Sequence, residues 1–420
     1  KDIMPNGSST PPEPLTPDSA PIPVNAPREG LPPLLNTTHD IAKAAESLSA
    51  GVGILALDTE RASGFTYSQR AQLIQLRRRG AGTYLIDPTA FSHPQEDLAP
   101  LASAINPLTW LLHAADQDLP CLRELGLTPQ YLTDTLLARR LLGYKRCNLG
   151  HLTEEILGLH LAKNHSAENW SRRPLPDSWL NYAALDVEYL VELWDELYKE
   201  ALDRGRSEWI DQECEFERCK PSPAPKKDPW RSISHIHTLK TRRDMEIARQ
   251  LWISRDALAA EKDIAPGRLL PDRLIITLAK AKPTTAADLQ TLKGTGRLRY
   301  RNRWLHTVKN GLHTPANRLP PLLLHSDQPI PHQSQWKRLN PDAAHKLSQC
   351  RTVTERIAEE LGIEPQDLIA GEALRTLSWT LTEENSPESI TASLVASQAR
   401  PWQIAHVAGA LAEKLAVPVE

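Results

Sequence analysis

Cysteine is scarce in this chain, and none is placed for chemistry. The 420 residues contain five, Cys121, Cys147, Cys214, Cys219 and Cys350, an odd and scattered set with no Cys-x-x-Cys pair. A disulfide framework and a cysteine zinc site are both disfavoured, and a reducing cytoplasm is the expected setting. Long apolar runs are missing as well. With no run of about 18 or more apolar residues, no transmembrane helix is expected. The first residues carry no basic-then-apolar leader pattern, and they open on lysine rather than methionine, as a trimmed chain would.

Net charge is small, at −3, but only as an average. Residues 1–217 hold 19 Lys/Arg against 31 Asp/Glu, residues 226–318 hold 20 against 8, and residues 335–420 hold 8 against 12. An acidic first half joined to a strongly basic middle points to an anionic partner for the middle segment.

Composition also divides the chain. Residues 1–35 hold 10 of the 35 prolines and read as a disordered arm. Helical spacing follows over His39–Leu48, and the glycine-opened apolar run Gly51–Asp58 reads as a buried strand. Further strands are expected at Ala71–Arg77 and Thr83–Asp87. Being so close in sequence, the three should form an antiparallel meander. Mixed helices and short strands then complete an α/β domain over 36–212. A proline-rich linker, 213–229, leads to a helical domain, 230–316. A second connector, 317–334, leads to another helical domain, 335–420, similar enough in size and helix order to suggest a diverged duplication.

Four carboxylates stand out. Asp58 and Glu60 end the first strand two residues apart, so both project from one face. Such a pair is costly unless a cation neutralises it, and hard cations prefer oxygen ligands, although a solvated strand end fits equally well. Asp118 opens a helix, where it could simply be a cap. Tyr182 and Asp186 lie four apart on one helical face, which a core tyrosine and an exposed aspartate would also satisfy. Each is ambiguous alone; the set is not.

The order Asp58-x-Glu60, His113-x4-Asp118, Tyr182-x3-Asp186 resembles the three motifs of the DEDDy 3′→5′ exonucleases, and of bacterial ribonuclease D within them. Gln72–Leu76, Asp134-Thr135 and Trp170–Leu175 agree with it, and coverage runs from about residue 38 to 212. Asp118 is preferred to the nearby Asp116 because the family's acidic residue lies five after the histidine. The resemblance implies a ribonuclease H-like domain, a mixed sheet with flanking helices. It also implies hydrolysis assisted by two divalent ions, Mg²⁺ or Mn²⁺, roughly 3.5–4 Å apart. Asp58 would ligate both, Glu60 and Asp186 would complete one site, and Asp118 would reach the second mainly through water. Tyr182 would orient the attacking water. Thr59, His113, Trp170 and Arg173 are the expected nucleic-acid contacts of this domain.

The helical domain 230–316 resembles an HRDC module through Met245–Arg255, the Ile264-Ala-Pro266 turn and Lys293–Gly296. Lys293, Gly294 and Gly296 precede a helix, where backbone N–H groups can approach a phosphate, and Arg297, Arg299 and Arg301 follow. Trp304 belongs more naturally to the core. The last domain looks like a second, diverged HRDC module. The expected protein is a monomeric, cytoplasmic 3′→5′ exoribonuclease that trims structured RNA such as tRNA precursors and releases nucleoside 5′-monophosphates. Its rivals are a DNA-directed exonuclease and a nucleic-acid-binding protein with a silent site.

Overall fold

The computed structural model describes residues 20–146, 148–162, 165–322, 330–381 and 385–416. Its strands are β1 Ile22–Val24, β2 Leu34–Leu35, β3 Val52–Arg61, β4 Ala71–Arg79, β5 Gly82–Ile86, β6 Thr109–Leu112, β7 Tyr131–Asp134 and β8 Leu159–Leu161. Six of these form a mixed sheet in the order β2-β5-β4-β3-β6-β7, in which β3, β4 and β5 are the expected antiparallel meander. Gly80 and Gly82 make the tight β4–β5 turn possible, with φ of 77° and 91°. β6 joins β3 in parallel and β7 joins β6 in parallel.

Alternation along β3 decides where the chemistry goes. Leu55 and Leu57 enter a core with Ile74, Leu76, Trp110 and Leu112, covered by the helices Thr38–Ala50 and Ala99–Ile105. Ala56, one residue out of phase, meets Leu111, Val187 and Leu190 on the opposite face, beneath the helices Asp177–Glu188 and Leu190–Asp203. Asp58 and Glu60 share the phase of Ala56 and so face the second pair of helices. β6 pairs with β3 only at Leu55 and Ala56, so β3 runs on beyond its neighbour with one edge open. Such crevices at carboxyl ends of strands are where ligands bind in open α/β sheets.

Two expectations about boundaries need correction. Residues 20–35, assigned by composition to a disordered arm, are tied into the fold. β1 pairs with β8, β2 pairs with β5, and Arg28 meets the buried Glu188 at 2.7 Å. Proline content misled because short strand pairs and the two ion pairs of Arg28, to Glu188 and Glu192, suffice to anchor such a segment; residues 1–19 lie outside the described residues. The linker likewise starts later than 213, since the helix Ser207–Cys219 buries Ile210 and Cys214 against the core of the α/β domain. The exposed stretch is 220–227.

Both C-terminal regions are helical and share one plan. The first has helices Arg242–Lys262, Pro266–Leu269 and Asp272–Ala281, of 21, 4 and 10 residues. The second has Pro341–Leu361, Pro365–Leu368 and Gly371–Thr380, also of 21, 4 and 10. A buried tryptophan precedes each set, Trp230 and Trp336. Among the described residues no helix is long and apolar enough to cross a membrane.

Candidate active site

Asp58, Glu60 and Asp186 offer carboxylate oxygens that all lie within 4.8 Å of one another. They stand in a cleft of about 870 Å³ whose walls include Thr59, Arg61, Ser63–Phe65, His113, Asp118, Arg140 and Tyr182. β3 supplies the first two and the helix Asp177–Glu188 supplies the third, with Tyr182 one turn earlier on the same face. That helix is fixed over the sheet by Leu180, Ala183 and Ala184 packing on Leu73 and Leu85.

Crowding of negative charge shows in proton affinity. Burial, followed by repulsion from Asp118 and Asp186, holds Asp58 well above the usual carboxylate range. Burial and then Asp58 push Glu60 up to about 10, and burial pushes Asp186 up to about 7 against the lowering effect of the Tyr182 hydrogen bond. An all-oxygen set so spaced, with more negative charge than it can hold ionised, fits a hard divalent cation. Burial and the surrounding carboxylates likewise keep the Tyr182 phenol protonated, so it serves as a donor, to Asp186.

Asp118 joins the cleft by a different route. After β6 the chain makes a turn in which Ala114 has φ of 64°, an unusual value for a residue with a side chain. The buried Asp134, last residue of β7, holds that turn by accepting from the amides of Ala114 and Ala115 at 3.1 and 2.7 Å. Asp118 then occupies a helix N-cap position without capping the helix. Its carboxylate instead accepts from the Thr59 hydroxyl at 2.6 Å and lies 3.9 Å from the Arg61 guanidinium. Burial, partly relieved by Thr59 and Arg61, pushes it up to about 6. Asp116 is exposed in the preceding turn. His113 lines the cleft and pairs with Thr135 at 2.9 Å.

Other expected contacts are placed elsewhere. Trp170 is fully buried, its indole N–H donated to the carbonyl of His165, so it is a core residue and not a base-stacking platform. Arg173 is committed to Asp87 at 2.7 Å and to the carbonyls of Trp170 and Gln72, which leaves it a structural clamp. In the basic region Lys293, Gly294, Gly296, Arg297 and Arg299 are exposed. Arg301 turns back to the carbonyls of Leu298 and Gly296 and is not a free surface cation. Trp304 is in the core. The sequence reading missed Arg61, although a cation directly after Asp58-Thr-Glu60 was its available signal, and it missed the organising role of Asp134.

Known proteins share this arrangement. A family model described as 3′-5′ exonuclease matches residues 35–201, an HRDC domain model matches 244–305, and a model described as 3′ to 5′ exonuclease C-terminal domain matches 329–415. The ribonuclease D of Zymomonas mobilis is 31% identical over 62% of this chain and 67% of its own, and that of a Jannaschia species is 29% identical over 79% and 85%. A crystal structure of a protein from Bifidobacterium adolescentis superposes with a TM-score of 0.85 at 35% identity, covering 94% of this chain and 99% of that one. The Escherichia coli RNase D structure, described as an exoribonuclease involved in structured RNA processing, gives a TM-score of 0.64 at 26% identity, over 91% and 98%. With the carboxylates of all three motifs gathered in one cleft and these relatives spanning every domain, the chain belongs to the ribonuclease D family and is a 3′→5′ exoribonuclease.

Proposed function

We propose that this exoribonuclease removes nucleotides singly from the 3′ end of structured RNA, tRNA precursors included, and releases nucleoside 5′-monophosphates. The observation that carries the reading is the set Asp58, Glu60 and Asp186 within 4.8 Å, one helical turn from Tyr182. Asp58, Glu60 and Asp186 would hold divalent ions, with Asp118 as an outer participant. Two such ions, when bound, supply acidified water and neutralise charge on the scissile phosphate and the leaving 3′ oxygen. The chain's own side chains do the orienting. Tyr182, its O–H given to Asp186, places its phenol oxygen beside the water's approach, and its protonated phenol argues for positioning over proton abstraction. Thr59 fixes the rotamer of Asp118, and Arg61 brings one positive charge to the cleft where an RNA phosphate would pass. Outside the cleft, the exposed Lys293, Arg297 and Arg299 would hold the body of the RNA through its phosphates.

A 3′-tailed RNA hairpin labelled at its 5′ end tests this with Mg²⁺ or Mn²⁺ against an EDTA control. A ladder shortening from the 3′ end and lost in EDTA is expected. RNA bound but uncut would favour a silent site, and equal cutting of a matched DNA would remove the RNA preference.

A further inference from the structure

The nine residues from Ala62 to Arg70 link β3 to β4 and form one lip of the cleft through Ser63, Gly64 and Phe65. This loop leaves β3 at an irregularity in the β3–β4 register, between Glu60 and Arg61. The irregularity therefore lies next to a site carboxylate, Glu60. Its own support is local, consisting of turn bonds from Phe65, Thr66 and the Thr66 hydroxyl to the carbonyl of Ala62.

Further support comes from the basic helical module, at the Ile264-Ala-Pro266 turn. The Ala265 amide donates to the Phe65 carbonyl at 2.9 Å. Arg268 donates to the Gly64 carbonyl at 2.7 Å and lays its guanidinium over the Phe65 ring at 4.0 Å. Asp263 accepts from the Ser68 amide at 2.8 Å, and Tyr67 packs on the module's apolar core with its hydroxyl 3.2 Å from Asp256. On the nuclease side, Phe65 packs against the cluster that also carries Tyr182. One continuous set of contacts thus runs from the module to the site.

We propose that this contact makes the basic module a positioning element of the active site. Arg268 and Asp263 hold residues 63–68 where they guide the 3′-terminal nucleotide, so the module governs turnover even of substrates too short to reach its basic surface. Arg268 acts through the loop and is a positioning residue. The inference rests on the exonuclease reading, and a wild-type chain inert on every RNA would overturn that reading instead.

The test compares a tetraribonucleotide with a 3′-tailed hairpin in the full chain. Arg268→Ala should lower kcat about tenfold on both, because orientation at the reacting end is lost. Hairpin KM and the salt dependence of hairpin binding should stay as in wild type. Arg268→Lys, which keeps a donor and a cation over Phe65, should recover most of the loss. Amide exchange of residues 63–68 should quicken in Arg268→Ala while the module's helices stay protected. Tetranucleotide turnover unchanged in Arg268→Ala overturns the proposal, whether or not hairpin cutting falls. If Arg268→Ala does not melt cooperatively, Tyr67→Phe removes only the bond to Asp256. A twofold to threefold fall on both substrates is then expected, and no fall on the tetranucleotide is again decisive against it.

Discussion

The two helical modules open on three helices of the same lengths in the same order and are attached in opposite ways. The first meets the nuclease domain through the Ala62–Arg70 loop, with hydrogen bonds, the Arg70–Asp263 ion pair, an arginine over an aromatic ring and one tyrosine as the contact. The second shares a hydrophobic core with the nuclease domain. Trp402 stacks on Trp209 at 4.8 Å, Glu213 accepts from both Trp402 and Arg400, and Arg206 bridges Leu141 and Leu361 carbonyls. Charge divides the same way, with the basic surface on the polar-attached module. One architecture, used twice, is therefore an exposed, basic attachment in one place and an extension of the core in the other.

The largest test of this division lies at the site itself. Asp58→Asn should cut hydrolysis by on the order of 10³-fold or more while hairpin affinity stays near wild type, because the cutting and holding surfaces are separate. Affinity that fell in step with turnover would collapse the distinction. Next comes the apolar junction. Trp402→Ala removes a buried ring, 4% exposed, and should cost about 3 to 5 kcal/mol, read as a lower urea midpoint for the whole chain. Gly143→Ala should add to the case. Gly143 has φ of 82°, and a methyl there would meet the Gly362 carbonyl across the same junction. A midpoint unmoved by Trp402→Ala would mean that the second module is as loosely held as the first.

Smaller effects are expected on the basic surface. Arg297→Ala with Arg299→Ala should weaken hairpin binding and reduce its salt slope by one to about two, as lost phosphate contacts do. Arg301→Ala should leave the slope alone and lower stability instead, since its partners are carbonyls of its own loop. The smallest effect concerns pH. Asp118 and Asp186, pushed up to about 6 and about 7, hold protons in the folded metal-free chain that the unfolded chain has released. With Glu60 pushed up to about 10 beside them, the folded state binds more protons from about pH 4 to about 10, and stability falls as pH rises through that window. Thermal melts in EDTA should show the decline, and Mg²⁺ at pH 8 should reverse it.

Much of this was legible in residue spacing. Asp58 and Glu60 could be placed on one strand face because strand alternation is strict, and Tyr182 and Asp186 on one helix face because the helical repeat is. Spacing says nothing about whether a side chain is already occupied. Arg173, Trp170 and Arg301 carry the right chemistry for RNA, but Asp87, the core and a set of carbonyls claim them. The same limit applies to Asp118. Its neighbours in sequence suggest a cap, while Thr59, distant in sequence, decides its use. Contacts between the Ile264–Pro266 turn and the loop after β3 join segments some 200 residues apart, which no local pattern encodes.

The proline-rich segment before residue 36 bears on how the enzyme can be cut down. A fragment starting there would keep every residue of the proposed catalytic set, yet β5 would lose β2 and present a bare strand edge to other molecules, a known route to aggregation. Glu188, wholly buried two residues after Asp186, would lose Arg28 and keep Arg77 at 3.2 Å as its remaining ion-pair partner among the described residues. Arg28 is itself half exposed, but its loss leaves a wholly buried carboxylate with less compensation, which is destabilising. Proteolytic trimming that reached Arg28 would therefore loosen the catalytic helix from behind, without touching the cleft.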